Sequence, residues 1–220
     1  MGSLMDEINW IGHASFLLRI NGRNVYIDPF NLDTVTERAD IILITHPHFD
    51  HLHPDSIRKV ADRETMVFVP KDSVHKIPVG KVTGVEPNKK YSALGVGFST
   101  VPAYNNVKER LQNHPRSNGW VGYLVKLNGR TLYHAGDTDF IDEIKGLKTG
   151  VALLPMGGTY CMGVDEAVDA ANSMELDQAS PMHYKQLLGK EGSVKAEEIF
   201  RKKAKKAAIL KEIQEPRYSF

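Results

Sequence analysis

The segment Thr45-His46-Pro47-His48-Phe49-Asp50-His51 places three imidazoles and a carboxylate within six positions, 46–51. Imidazole nitrogens and carboxylate oxygens suit Zn, Mn, Fe or Ni, so the chemistry to expect is that of a divalent metal. His46 and His48 stand two apart; in an extended chain their rings leave the same face and can bind one ion. Asp50 and His51, after the chain turns, can reach a second. Cys161 is the only cysteine, which excludes an intrachain disulfide and thiolate-rich zinc sites. Two divalent ions would acidify a water between them and polarise a carbonyl or phosphoryl oxygen, so no Ser or Cys nucleophile is needed.

Such a cluster needs a rigid support, and the sequence before it supplies one. Ile41-Ile42-Leu43-Ile44 is wholly apolar and reads as a strand buried on both faces, ending directly at the histidines. Upstream, 8–10 and 15–20 read as strands, and Asn21-Gly22 turns the chain into a further strand at 24–28. Downstream, 53–63 reads as a helix with Pro54 in its first turn, and 66–70 as a returning strand. Further strands are expected at 81–85, 97–102, 120–127, 130–135 and 151–155, with Asn128-Gly129 as a hairpin turn. Helices are expected at 165–174 and 194–206, the second supported by Glu197–Arg201 and Glu198–Lys202 pairs, and AAILKEI closes the pattern as a last strand. No repeat, low-complexity tract or linker marks a boundary, so residues 1–220 are expected to form one α+β domain of two sheets with outer helices.

Thr45–Pro54, THPHFDHLHP, resembles the HxHxDH signature of the metallo-β-lactamase superfamily. Tyr133-His134-Ala135-Gly136-Asp137-Thr138 resembles the later "GDT" segment of that family, and Pro181-Met182-His183-Tyr184 its C-terminal histidine motif. Ile11-Gly12-His13-Ala14, Ile27-Asp28-Pro29-Phe30 and Leu154–Tyr160 are similar to a branch of small hydrolases related to ascorbate-6-phosphate lactonase and N-acylphosphatidylethanolamine phospholipase D. The resemblance implies a four-layered αβ/βα sandwich with two metal ions, zinc first, at one edge between the sheets. It implies that Asp137 bridges the ions, that His183 is the last ligand, and that Asp50 and Asp137 anchor the second ion. One position departs from the pattern: that branch places a metal-binding histidine just after a "PA" pair, where Pro102-Ala103-Tyr104 is followed by Asn105. His134 and His114 are the substitutes for the third ligand of the first ion; His134, three residues before Asp137, is preferred, and it can equally stand behind the ligands. Asp28, Asn105 and Tyr184 are expected as partners that orient the ligands. His13, His114 and Tyr184 are candidates for protonating the leaving group.

Composition narrows the function further. Lys and Arg total 28 against 27 Asp and Glu, a formal net charge of +1, which gives no global attraction to nucleic acid or an anionic membrane. No run of about 18 apolar residues occurs and MGSLMDEINW has no signal-peptide pattern, so a cytoplasmic protein is expected. Gly2 is a poor myristoylation site because position 6 is Asp. The expected activity is metal-dependent hydrolysis of a small, anionic molecule such as a phosphodiester, a phosphorylated lactone or a comparable ester. A nuclease is one alternative, although RNA-processing members carry an added RNA-binding arm or domain for which 220 residues leave little room. A metal-binding or sensing protein with little turnover is the other, motivated by Asn105. Flavin-linked di-iron chemistry would need a flavodoxin domain, which the sequence after position 184 does not suggest, and a β-lactamase role lacks a secretion signal. Oligomeric state is open. Duller readings apply to His53 and His75 as exposed residues, to Cys161 as a small buried hydrophobe, to 201–206 as a solvated helix face, and to Gly157-Gly158 as a tight turn that could also present backbone amides to an anion.

Overall fold

Ile41-Ile42-Leu43 carries no polar side chain to offer water, and the fold buries all three. Ile41 and Leu43 face one apolar cluster while Ile42 and Ile44 face another, as the two-residue period of a strand requires. The computed structural model describes residues 7–33, 37–127 and 129–218. The first sheet comprises β1 (Ile8–Gly12), β2 (Ser15–Ile20), β3 (Arg23–Ile27), β4 (Ile41–Leu43), β5 (Met66–Pro70) and β6 (Lys81–Val85), side by side in that order. β1 to β3 pair antiparallel and β3 to β6 parallel. The second comprises β7 (Lys90–Ala93), β8 (Val96–Pro102), β9 (Val121–Leu127), β10 (Arg130–His134), β11 (Lys148–Pro155) and β12 (Glu175–Met182). Here β7 to β10 run antiparallel and β10 to β12 parallel.

Between the sheets lie Phe16, Leu18, Ile27, Leu43, Phe98, Tyr123, Val125 and Leu132, each nearly or fully removed from water. Each buried side chain of this kind contributes roughly 1.5–3 kcal/mol. Helix α1 (Pro54–Val60) covers the outer face of the first sheet through Ile57 and Val60, which meet Leu17, Tyr26, Ile42, Ile44, Val67 and Val69. Helices α2 (Val164–Ser173) and α3 (Lys185–Lys203) cover the second sheet, α2 on β11 and β12 and α3 on β12. The result is the expected four-layered α+β sandwich.

The differences from the sequence expectation have physical causes. The strand at 175–182 was not expected because its first half, Glu175-Leu176-Asp177-Gln178, is polar; it holds by parallel pairing along β11 and tolerates Pro181 as the edge strand of its sheet. Short β7, KYSA, has no apolar pattern either. Helix α3 starts nine residues earlier than the pattern at 194–206 suggested, with Gly189 at φ 64° kinking it, and it ends at Lys203. AAILKEI is not a strand: it makes single parallel bridges, Ala207 to Ala179 and Glu212 to Trp10, because it crosses from the edge of one sheet to the edge of the other. β9 and β10 do pair as a hairpin, Leu127 opposite Arg130; Asn128 of its turn lies outside the described residues, as do Gly2 and the rest of 1–6. Among the described residues no helix is long and apolar enough to cross a membrane.

Candidate metal centre

The ends of several strands converge on one edge of the sandwich. β4 delivers residues 45–51, β3 delivers Asp28, the β1–β2 turn delivers His13, β10 leads to Asp137, β12 leads to His183, and the β8–β9 connection brings His114. Sites at the carboxyl ends of parallel strands are the general outcome when loops are free to vary over a rigid sheet. Three of these residues are not glycine yet have positive φ: His13 at 52°, Asp28 at 45° and His183 at 56°. Each such left-handed residue costs roughly 1–3 kcal/mol, which the surrounding packing must sustain.

One group of donors is made of His46, His48 and His114. His46 Nε2 stands 3.1 Å from His48 Nδ1 and 3.3 Å from His114 Nε2. Donors about 2.0–2.1 Å from a tetrahedral metal stand roughly 3.3 Å apart. Burial drives His46 far below its ordinary range and His114 down to about 4, so both rings are neutral and keep a lone pair. The Thr45 hydroxyl, which donates to Asp28 Oδ2 at 2.6 Å, accepts from His46 Nδ1 at 3.0 Å and so leaves Nε2 bare. Trp120 walls this group, its ring 5.2, 5.1 and 5.6 Å from those of His46, His48 and His114.

A second group is made of Asp50, His51 and His183, with His13 beside them. His183 Nε2 is 3.3 Å from both Asp50 Oδ2 and Asp137 Oδ2, and His51 Nε2 is 3.5 Å from Asp137 Oδ1. Those last two atoms, His51 Nε2 and Asp137 Oδ1, are buried and make no hydrogen bond among the described residues. Two orphaned donor atoms aimed at one point, in reach of two further ligands, fit a metal ion. Asp137 joins the two groups, since its Oδ2 is also 3.6 Å from His114 Nε2. Burial opposes charge on His51 and His183, yet Asp137 and Asp50 outweigh it, with Asp28 adding to the effect on His51: His51 is pushed up to about 10 and His183 well above its ordinary range. Burial likewise opposes the carboxylates, and the two imidazoles hold Asp50 and Asp137 well below theirs. The cluster thus demands positive charge, from protons or from metal.

The sequence-derived residues sort clearly. Asp28 stands behind the cluster, its Oδ2 accepting from His51 Nδ1 at 2.7 Å and its Oδ1 from the Thr45 amide at 2.8 Å. Asn105 stands behind His114, 2.9 Å from its Nδ1. His13 presents Nε2 to Asp50 Oδ2 at 2.9 Å; burial and His183 drive its ring down to about 3. His134 is corrected by the structure: its Nε2 meets the Ala14 carbonyl at 2.9 Å and its Nδ1 accepts from the Gly136 amide, so neither nitrogen is available, and His114 takes the place beside His46. Tyr184 is also corrected: its hydroxyl donates to Glu197 on α3 at 2.5 Å, away from the cluster. His53 caps α1 by accepting from the Ser56 amide, and His75 is exposed. Cys161 is buried with Sγ 4.0 Å from His183 Nδ1. Gly157 permits a close approach, since a Cβ there would fall 2.6 Å from the His183 carbonyl. The sequence reading gave no role to Thr45 or Trp120; Thr45 adjoins a recognisable motif, but nothing in the sequence marks Trp120.

Residues 7–183 match the family described as the beta-lactamase superfamily domain. A UPF0173 metal-dependent hydrolase of Thermococcus kodakarensis is 34% identical over 197 residues, spanning 82% of this chain and 85% of the relative. Another, from Exiguobacterium, is 29% identical over 206 residues, spanning 81% and 85%. A solved structure from Parabacteroides distasonis superposes with a TM-score of 0.81 at 32% identity, covering 94% of this chain and 93% of that one. The metallo hydrolase of Ignicoccus hospitalis, at 23% identity and a TM-score of 0.71, shares the fold. The donor groups, the two six-stranded sheets and these relatives agree, and the chain belongs to the metallo-β-lactamase superfamily, within the UPF0173 family of metal-dependent hydrolases.

Proposed function

We propose that the chain hydrolyses a small, largely uncharged carboxylic ester or lactone with two divalent ions, zinc first, which His46, His48 and His114 and Asp50, His51 and His183 would hold, with Asp137 in reach of both groups. The observation that carries the substrate class is the cleft over the donors. It encloses about 490 Å³ and is lined by His48, Phe49, Asp50, Gln112, Asn113, Asp137 and Tyr160. Phe49 is 63% exposed and Tyr160 45%, which is much apolar surface to leave in water unless it meets a ligand. Two carboxamides offer hydrogen bonds, and among the described residues neither Lys nor Arg lines the cleft. A doubly charged phosphorylated lactone therefore finds no cationic side chain there, and a nucleic acid finds none for successive phosphates. A singly charged phosphodiester is the second reading, because the nitrogen-rich donor set leaves the metals with positive charge to meet it.

When bound, the ions supply Lewis acidity, acidifying water toward neutral pH and polarising the scissile oxygen. Asp50 lies on the cleft floor and is anchored from behind by His13, so its carboxylate orients whatever occupies the floor. His13 and His114, expected as acids for the leaving group, do not line the cleft; Tyr160 is the lining residue with an O–H to donate.

Metal content of untagged protein, measured with turnover of p-nitrophenyl butyrate and bis(p-nitrophenyl) phosphate before and after chelation and add-back, tests this reading. Near two ions per chain and chelator-sensitive turnover that favours the carboxylic ester are expected. Turnover of the phosphodiester alone would replace the substrate class. One ion or none, without recovered activity on either ester, would overturn the dinuclear hydrolase.

A further inference from the structure

We infer that Asn105 is a positioning residue that fixes His114 in the neutral tautomer that leaves its Nε2 free to bind a metal, and that a chain through the buried Asp139 and Arg110 to Glu166 on α2 locks it in place. The inference rests on the reading that His46, His48 and His114 hold an ion. A carboxamide can present its oxygen or its nitrogen to a neighbour, and here the other neighbours decide which. The amide group lies 2.9 Å from Asp139 Oδ1 and 3.0 Å from the Tyr160 carbonyl oxygen. A carboxylate and a carbonyl only accept, so the NH₂ must face both of them. The Asp139 carboxylate also accepts from the Asn106 and Val107 amides at 2.8 and 2.9 Å, and the Arg110 guanidinium faces it as an ion pair, Nε 2.8 Å from Oδ1 without a hydrogen bond.

With both amide protons used, Asn105 Oδ1 is what remains toward His114 Nδ1, 2.9 Å away. An oxygen acceptor there requires the ring proton on Nδ1. A neutral imidazole carries one ring proton, so Nε2 keeps its lone pair, pointed at His46 Nε2 3.3 Å away. The reversed amide would set its carbonyl oxygen against two acceptors, Asp139 Oδ1 and the Tyr160 carbonyl, and its NH₂ toward Nδ1 would select the Nε2–H ring, which cannot ligate through Nε2. What holds the amide in this sense is distant from the cleft: Arg110 pairs at once with Asp139 and with Glu166 Oε1 at 2.5 Å. Asn105 and Asp139 are buried, so water cannot substitute for a missing partner. His114 comes from a connection between strands and not from a strand end, and needs this external support more than His46 does.

Long-range ¹H–¹⁵N correlation spectra of the full-length labelled chain, chelated and zinc-loaded, report the tautomer directly, and zinc titration reports affinity. The wild type should show His114 as the Nδ1–H ring in both states. Asn105→Ala should move the chelated ring toward Nε2–H and weaken one of two zinc ions by about 10–100-fold while sparing the other. An Nε2–H ring in the chelated wild type would overturn the inference without recourse to any variant, and so would unchanged zinc affinity in N105A. A wild type with the Nδ1–H ring that bound no zinc would instead remove the metal reading, a distinct failure.

Discussion

Asp137 is the residue on which both donor groups depend, with His51, His114 and His183 nitrogens 3.3 to 3.6 Å from its oxygens. Asp137→Ala should therefore remove metal-dependent turnover by more than about 100-fold, and His48→Ala should do the same through the first group alone. Both variants should keep the fold, because the apolar clusters between and outside the sheets do not include these side chains. Far-ultraviolet circular dichroism with metal content and turnover checks this, and full activity in either variant would contradict the arrangement. The pattern HxHxDH made four of the site's members legible as a neighbourhood, but it could not say which histidine stands beside the first two. His134 was nearer in sequence to Asp137, yet its ring belongs to the Ala14 carbonyl and the Gly136 amide.

At the level of elements, β12 and α3 carry His183 to the cluster, and their junction is tightly filled. Gly157, just beyond β11, leaves room for it: an added Cβ would lie 2.3 Å from Leu187 Cδ1 and 2.6 Å from the His183 carbonyl. Gly157→Ala should cost about 1–3 kcal/mol by overpacking and should displace His183. Denaturant unfolding should show the loss of stability, and zinc titration a loss confined to the second ion; a variant as stable as the wild type with both ions intact would show that the junction is slack. β4 was legible because a run of apolar residues has only the interior to go to. β12 was not, because its stability comes from pairing with β11, and a pairing partner is not a property of the segment itself.

Across the whole molecule, the cluster couples stability to pH. In the metal-free chain burial lowers His51, but Asp137, Asp50 and Asp28 raise it from 6.5 to about 10. A raised folded-state value means that the ring's contribution is complete below pH 6.5 and is lost as the pH rises toward 10. Metal binding must displace that proton, so the metal-bound form has no such contribution to lose and gains affinity as protons become scarce. The melting temperature of chelated protein should fall across this interval, and the gap between zinc-loaded and chelated protein should widen. A gap that narrows with rising pH would show that the three carboxylates do not govern His51. The same scale reveals how the chain closes: the 207–212 segment bridges Ala179 on one sheet and Trp10 on the other, and Gln214 reaches the Asn31 carbonyl at 3.1 Å, next to the turn that bears Asp28.

The sequence by itself determined the metal chemistry and the layered fold, because donor identity and apolar periodicity are local and survive without coordinates. The strand ending at His46, the hydrophobic runs on either side of it and the lack of a thiolate set were all fixed by composition and order. Only the tertiary structure brings His114 beside His46 and His48, sets Asn105 against His114, and leaves no Lys or Arg among the described residues that line the cleft. Those facts depend on which surfaces meet when two sheets close on each other. His114 and His46 are 68 residues apart, and no local rule of the chain brings them to 3.3 Å.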